Sequence, residues 1–554
     1  MAHTAHVDTF ARDSLPPREL WPDIIFTRPE FHYPERLNCA VEFLDRWVAE
    51  GRGDAPCLFS PEVNLTYAQL QERVNRICNV LVKDLGLVPG GRVLLRSANN
   101  AMMVATYLAV LKAGGVVVAT MPLLRAKELV YPIRKAKIAL ALCDHKLAEE
   151  MEKAAAQVTE LRRLVYWGDG APDALESLMA RASPDFAAVE TAADDVCLIA
   201  FTSGTTGEPK GTMHFHRDML AICDGFSRNV LRPLPQDRFI GSAPLGFTFG
   251  LGGIVLFPMR IGASFVVLEK AGPDELLAAI ERFKVTICST APTAYRAMLG
   301  KRGAYDIATL RKCVSAGECL PKKTFEAWLE ATGIKIIDGI GGTEMLHIFI
   351  SACEEEIRPG ATGKAVPGYE AKVVDEEGRE VAPGTIGRLA VRGPTGCRYL
   401  ADERQRKFVQ NGWNMTGDTY LMDEDGYFWY QARSDDMIVS AGYNIAGPEV
   451  EAGLLTHPAV VECGVVGAPD SDRGAIVKAY VVLAPGEARD AAMVKCLQEH
   501  VKAEIAPYKY PREIVFVDEL PKTSSGKLQR FALRQRAQAE AATAVVAVAV
   551  AGQM

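Results

Sequence analysis

Residues 196–201 (VCLIAF) form an unbroken apolar run that leads directly into TSGTTGEPKG at 202–211. The run is short and bounded by small residues, which predicts a strand. Glycines at 204, 207 and 211 let the backbone bend where side chains would clash. Successive amides in such a turn can converge on an anion. Thr202, Ser203, Thr205 and Thr206 add hydroxyl donors, and Lys210 adds one mobile positive charge. The stretch reads as a phosphate cradle at a strand end. It is not a P-loop, because Lys210 is followed by Gly211 and not by a hydroxyl.

The same texture continues on both sides. Strand patterns at 92–96, 115–120 and 138–143 alternate with helical patterns at 66–81, 101–112 and 127–135, with Thr66 placed as an N-cap. Residues 40–50 also have helical periodicity. After the loop, strands at 239–243, 264–268, 286–289, 312–315 and 335–337 alternate with helices, the clearest at 274–282 and 321–331. Such alternation implies parallel sheets covered by helices. From about 362 the pattern changes to short strands and tight turns, a β-rich region reaching about 430. After Arg433 a polar joint, Ser434-Asp435-Asp436, precedes a compact mixed unit with helices at 449–455 and 492–504 and strands at 463–466, 478–483 and 514–517. The expected class is α/β: a large N-terminal domain (1–433) of two α/β subdomains plus a β-rich subdomain, then a small α+β C-terminal domain (434–540). The Ala/Val-rich residues 541–554 are expected to be a flexible tail.

With 554 residues, two or more domains are expected. The net charge of −7 argues against a general nucleic-acid binder. Thirteen cysteines without a C-x-x-C read as reduced, buried thiols in a cytosolic enzyme. The first twenty residues lack the apolar core of a secretory signal. The most apolar window, 104–124, contains Lys112, Gly114, Gly115 and Pro122, so it reads as a buried helix turning into a buried strand and not as a membrane span. The chain is expected in the cytoplasm, without a membrane partner. His214 and His216 suggest zinc only if further ligands join them, and none are close in sequence.

Four more motifs follow in order: DGIGGTE (338–344), WNMTGD (413–418), DGYFWYQARSDDMIVSAGY (425–443) and PKTSSGKLQR (521–530). With the loop at 202–211 they span about 330 residues. Together they resemble the signature of the adenylate-forming superfamily, and the Ile340-Gly341 variant with Met345-Leu346-His347-Ile348-Phe349 looks most like its benzoate-type CoA ligases. The resemblance implies that Thr202, Ser203, Gly204, Thr205, Thr206 and Gly207 cradle phosphates beside Lys210. It also implies that Gly317, Glu318, Asp338, Gly339, Ile340, Gly341 and Gly342 line the nucleotide, that Thr343 bonds the α-phosphate, and that Glu344 holds Mg²⁺. Asp418 and Arg433 would bind the ribose, Asp435 would be the domain hinge, and Gly442 would line the path of coenzyme A. Lys527 would contact the substrate carboxylate and the α-phosphate. The C-terminal domain is accordingly expected to be mobile.

The implied reaction consumes ATP, with Mg²⁺, and coenzyme A. Phe247, Phe249, Ala316, Gly341 and His347 would shape a short, partly aromatic acyl pocket, with an aryl acid of benzoate or 2-aminobenzoate size as the expected substrate. Phe247 stands where the superfamily often has histidine, and Ile340 where it often has tyrosine. Other acids of short or medium chain are the alternative within the superfamily. A luciferase-like oxidase, a peptide-synthetase module and a dead nucleotide-binding regulator are the alternatives outside this activity. The last would be expected to have lost Lys210, Glu344 or Lys527, and all three are present. A homodimer is a further expectation.

Overall fold

The computed structural model describes residues 3–202, 208–440, 443–470, 473–522 and 528–551, with only the backbone at 435, 443, 444 and 542–551. Ser203, Gly204, Thr205, Thr206, Gly207, Gly442 and Lys527 therefore lie outside the described residues. The chain divides into two compact units. One takes residues 1–204, 208–371 and 391–415, and the other 205–207, 372–390 and 416–554. The division runs through three of the short strands expected after 362. Glu370–Val374, Ile386–Arg392 and Trp413–Met422 each begin in one unit and end in the other.

The first unit contains two sheets. In the six-stranded sheet the order is Arg163–Trp167, Leu140–Asp144, Arg92–Arg96, Val116–Thr120, Val196–Phe201 and Gly211–Phe215. The first five strands are parallel and the last is antiparallel. The central strands are buried along their whole length, as parallel strands covered on both faces must be. Helix Ala101–Lys112 is buried nearly all round and turns through Gly114 (φ +73°) into Val116–Thr120, which accounts for the apolar window. Its Lys112 is not stranded, since Nζ reaches Asp45 Oδ2 at 2.7 Å and Asn75 Oδ1 at 2.6 Å. Helix Tyr67–Asn79 begins on a capping box, Thr66 with Gln69.

The second sheet has nine strands. Ile336–Gly341, Lys312–Ala316, Ile287–Thr290, Arg238–Gly241, Ser264–Val266 and Pro56–Phe59 are parallel neighbours in that order, with antiparallel strands at both edges. Helices Pro273–Phe283 and Lys322–Thr332 pack on it through Leu276, Ile280, Phe325 and Trp328.

In the second unit, Val460–Asp470 pairs antiparallel with Gly474–Leu483, and Glu513–Phe516 joins the latter in parallel. Helices Gly447–Leu455 and Ala491–Glu504 bury Val450, Leu454, Leu497 and Val501 on this sheet. Where a flexible tail is expected, helix Arg530–Ala551 continues almost to the end, in keeping with the high helix propensity of its alanines. No helix among the described residues is long and apolar enough to cross a membrane. All thirteen cysteines are free, and only Cys319 and Cys496 are exposed.

Candidate functional site

Strands Val196–Phe201 and Gly211–Phe215 form a hairpin whose last register pair is Phe201 with Gly211. Beyond it, the Thr202 amide donates to the Lys210 carbonyl (2.9 Å) and the Lys210 amide donates to Thr202 Oγ1 (3.3 Å). The antiparallel ladder thus fixes both ends of the loop, with Thr202 and Lys210 side by side. The Lys210 ammonium lies 4.8 Å from the centre of the Tyr399 ring, 5.7 Å from that of Phe408 and 3.7 Å from Glu344 Oε1. Two aromatic faces and one carboxylate therefore hold this cation.

Glu344 follows a strand that has to end abruptly. Ile336–Gly341 has a register shift at Ile340/Gly341, and a Cβ on Gly341 would sit 2.7 Å from the His347 carbonyl oxygen. Only glycine permits that approach. A single turn, Thr343–Met345, comes next, and Leu346 leaves it at φ +69°, in the left-handed region a leucine rarely adopts. Three hydrogen bonds hold the strained turn in place. His214 Nε2 donates to the Thr343 carbonyl at 2.8 Å, and Thr395 Oγ1 donates to the Met345 carbonyl at 2.8 Å. The Tyr399 hydroxyl donates to Glu344 Oε1 at 2.5 Å. Burial, and then the Glu344 charge, push the Tyr399 phenol far above its ordinary range, so it stays a donor.

Beneath the hairpin lies a fully enclosed ion pair. Arg398 Nη1 is 2.9 Å from Asp218 Oδ2, with both side chains at 0 % exposure. The guanidinium also lies against the rings of Phe215 (4.1 Å) and Trp21 (4.9 Å). Asp218 Oδ2 accepts the Phe215 amide as well, and His214 Nδ1 is 3.8 Å away. Burial, the largest influence, favours the neutral acid, but Arg398, the His214 hydrogen bond and Arg217 together outweigh it and hold Asp218 at about 2.

The expected nucleotide and acyl residues of this unit occupy the carboxyl ends of the parallel strands, where open α/β sheets bind ligands. Ala316 pairs with Gly339, Gly317 turns out of its strand at φ +91°, and Glu318 follows half-buried. Ile340 is half-buried and pairs with Ile350, and Gly342 is extended. Asp338 has its Oδ1 fully enclosed, and burial raises its carboxyl to about 7. Phe247, half-buried, is the N-cap of the short helix Thr248–Gly250.

His347 is the most confined residue of this group. It is 2 % exposed and sits among three phenyl rings, with centroids at 4.6 Å (Phe257), 5.6 Å (Phe249) and 5.7 Å (Phe226). The Phe249 backbone is at most a marginal hydrogen-bond partner of the ring, and burial lowers its pKa to about 3, so the imidazole is neutral. Gly252 makes room for it, because a Cβ there would meet His347 Cδ2 at 2.4 Å.

In the second unit, Asp418 stands opposite Arg433 across a hairpin, and Nη1 reaches Oδ1 at 3.2 Å. Asp435 lies in the turn Ser434–Asp436 that follows.

Sequence reasoning brought out Lys210, Thr343, Glu344 and His347. It missed Tyr399, Phe408, Asp218, Arg398 and Gly252, and took His214 only as half of a His-x-His pair. Of the missed residues only Gly252 left a local signal, the pair Gly252-Gly253 in an otherwise apolar helical run.

Thr202 and Lys210 at the hairpin end and Glu344 on the strained turn thus bring a hydroxyl, a cation and a carboxylate together. The family model for AMP-binding enzymes matches residues 44–399, and that for their C-terminal domain matches residues 449–527. The chain belongs to the AMP-binding enzyme family. It is 37% identical to the benzoate–CoA ligase of Thauera aromatica, over 92% of this chain and 98% of that one. It is 34% identical to a 4-hydroxybenzoate–CoA/benzoate–CoA ligase of Rhodopseudomonas palustris, over 90% and 94%. Among solved structures it resembles the anthranilate CoA ligase AuaEII in complex with anthranoyl-AMP, at a TM-score of 0.89 and 37% identity over 93% of this chain and all of that one. It also resembles a benzoate CoA ligase of Burkholderia xenovorans, at 0.82 and 32% over 90% of this chain and all of that one.

Proposed function

We propose that the chain joins an aromatic carboxylic acid, of the benzoate or 2-aminobenzoate class, to coenzyme A at the expense of ATP. A carboxylate oxygen attacks the α-phosphorus, the bond to the β-phosphate breaks, and acyl-adenylate and pyrophosphate form. The thiolate of coenzyme A then attacks the acyl carbon, and AMP leaves. The protein supplies position and charge, and no side chain acts as nucleophile.

In this reading Thr202 and Lys210 bind phosphate oxygens, together with the hydroxyls of Ser203, Thr205 and Thr206. Thr343 bonds the α-phosphate and Lys527 meets the charge that develops on it. Glu344 suits Mg²⁺, since it offers hard carboxylate oxygens and its Oε2 is not the oxygen taken by Tyr399. Bound there, the cation would offset phosphate charge. Asp418 and Arg433 bind the ribose, Asp435 is the hinge, and Gly442 borders the entry of coenzyme A. A cytoplasmic homodimer completes the reading.

The observation that carries the aryl assignment is the set of three phenyl rings around His347, three residues beyond Glu344. Its ring is neutral and at most weakly engaged by the Phe249 backbone, which leaves it able to hydrogen-bond a substituent on an aromatic acid. The test is a panel of aromatic and short aliphatic acids, with pyrophosphate release measured with and without coenzyme A. Benzoate and 2-aminobenzoate should lead. A preference for aliphatic acids would overturn the aryl reading, and no release with any acid would overturn the ligase reading.

Two substitutions probe the parts. Tyr399→Phe should cost about 1.5–3 kcal/mol of transition-state stabilisation, the usual worth of a hydrogen bond to a charged group. The readout is kcat/KM for ATP in pyrophosphate release, and unchanged kinetics would remove Tyr399 from the site. His347→Phe should lower kcat/KM for 2-aminobenzoate relative to benzoate by roughly fivefold, about 1 kcal/mol for one lost hydrogen bond. An unchanged ratio would leave His347 as packing alone.

A further inference from the structure

Asn99 joins the two sheets of the first unit at their carboxyl ends. It follows strand Arg92–Arg96 and is 6 % exposed. Its Nδ2 donates to the Ala243 carbonyl at 2.9 Å, and its Oδ1 accepts the Leu245 amide at 2.8 Å. These two backbone groups lie just beyond strand Arg238–Gly241 of the other sheet. One side-chain amide thus bonds a carbonyl and an N–H two residues apart, as the edge of a neighbouring strand would. The next residue, Asn100, caps helix Ala101–Lys112 by accepting the Met103 amide at 2.9 Å. A strand end and a helix start therefore fix Asn99 from both sides.

What Asn99 grips is a tight turn. The Phe247 amide donates to the Pro244 carbonyl at 2.9 Å, which closes residues 244–247. Gly246 lies against the end of strand Val116–Thr120, where a Cβ would come within 2.9 Å of the Thr120 carbonyl carbon. The Phe247 carbonyl accepts the Leu251 amide at 2.9 Å and opens a helical run that continues to Arg260. That run folds back on the turn at Gly250, which leaves no room for a Cβ beside the Pro244 carbonyl. It carries Phe249 and Phe257 against the His347 ring and Gly252 beside it.

We propose that Asn99 is a positioning residue for the acyl substrate. Its side-chain amide holds the 244–247 turn, and through the turn it sets Phe247 and Phe249 in place beside His347. The proposal rests on the acyl pocket described under the proposed function. Three features carry it. The first is chemical: the grip needs a donor and an acceptor on one short stem, whereas aspartate has no donor and glutamine is one methylene longer. The second is burial. Leu245 is 2 % exposed, so its amide has no ready water to replace Asn99, and a buried donor left unmade is costly. The third is continuity, since the turn and the helix that walls the pocket are one packed piece, and a displacement of about 1 Å at a reacting site is enough to slow a reaction. None of these contacts involves Thr202, Lys210 or Glu344, so the effect should fall on the acid and not on ATP.

The test compares the full-length wild type with Asn99→Ala in pyrophosphate release, varying the acid at saturating ATP and then ATP at saturating acid. The acid is whichever one the wild type takes best, so a wrong aryl assignment and a wrong role for Asn99 give different results. Asn99→Ala should raise KM for the acid by about tenfold, the usual cost of a buried group left without its partner, and leave KM for ATP unchanged. Asn38→Ala is the control for lost buried hydrogen bonds at large. Asn38 is 7 % exposed and bonds the Leu111 and Val189 carbonyls and the Ala40 amide. Its removal should lower the urea midpoint and leave both KM values unchanged. If Asn99→Ala fails to fold, Asn99→Asp keeps the acceptor for the Leu245 amide and loses only the donor, and the same split is expected of it. An unchanged KM for the acid, an equal rise in both KM values, or the same rise in Asn38→Ala would each overturn the proposal.

Discussion

Lys527→Ala is expected to slow acyl-adenylate formation by about 10²–10³-fold, roughly 3–4 kcal/mol, the usual effect of losing one preorganised charge donor. Thioester formation from supplied acyl-adenylate should be spared. The asymmetry follows from where charge appears. The first half-reaction gathers negative charge on the α-phosphate, and the second releases AMP as a leaving group. A cation that meets the phosphate helps the first step, where that charge builds up, and is not needed in the second. Pyrophosphate release with acid and ATP, followed separately from thioester yield with adenylate and coenzyme A, divides the two. Equal loss in both steps would refute this division of labour. Acetylation of Lys527 removes the same charge and should give the same asymmetry.

Much of the first unit is legible because its signals are local. VCLIAF forms a strand, Thr66 and Gln69 cap a helix, and GIGGTE ends a strand in a turn, each from residues adjacent in the chain. What holds the site is not local. Tyr399 reaches Glu344 across 55 residues, His214 reaches Thr343 across 129, and Arg398 reaches Asp218 across 180. A single tyrosine or arginine in a sequence says nothing about which carboxylate it will meet. The His-x-His motif shows the same limit. Its two rings serve different partners, and His216 meets Cys39, 177 residues away. For residues 541–554, expected as a flexible tail, the backbone continues the helix as far as Ala551.

Asp218→Ala is expected to destabilise the first unit by on the order of 3–5 kcal/mol, because it leaves the Arg398 guanidinium buried without its counter-charge. The loss should appear as a lower urea midpoint for that unit. Arg398→Met combined with Asp218→Leu should recover most of it, since an apolar pair of similar volume avoids both desolvation costs. The pair also sets an acid limit. Asp218 is held at about 2, below its ordinary 3.8, so its contribution is fully present above pH 3.8 and is lost as pH falls through about 2. In wild type this amounts to about 2 kcal/mol over that window, and the slope should be missing from the double variant. Because Asp218 also accepts the Phe215 amide and lies beside His214, the single variant should loosen the Thr343–Glu344 turn before the unit unfolds. The KM for ATP should then rise in urea concentrations too low to unfold the protein. A single variant as stable as wild type, or a double variant as unstable as the single, would show that the hairpin does not depend on this ion pair.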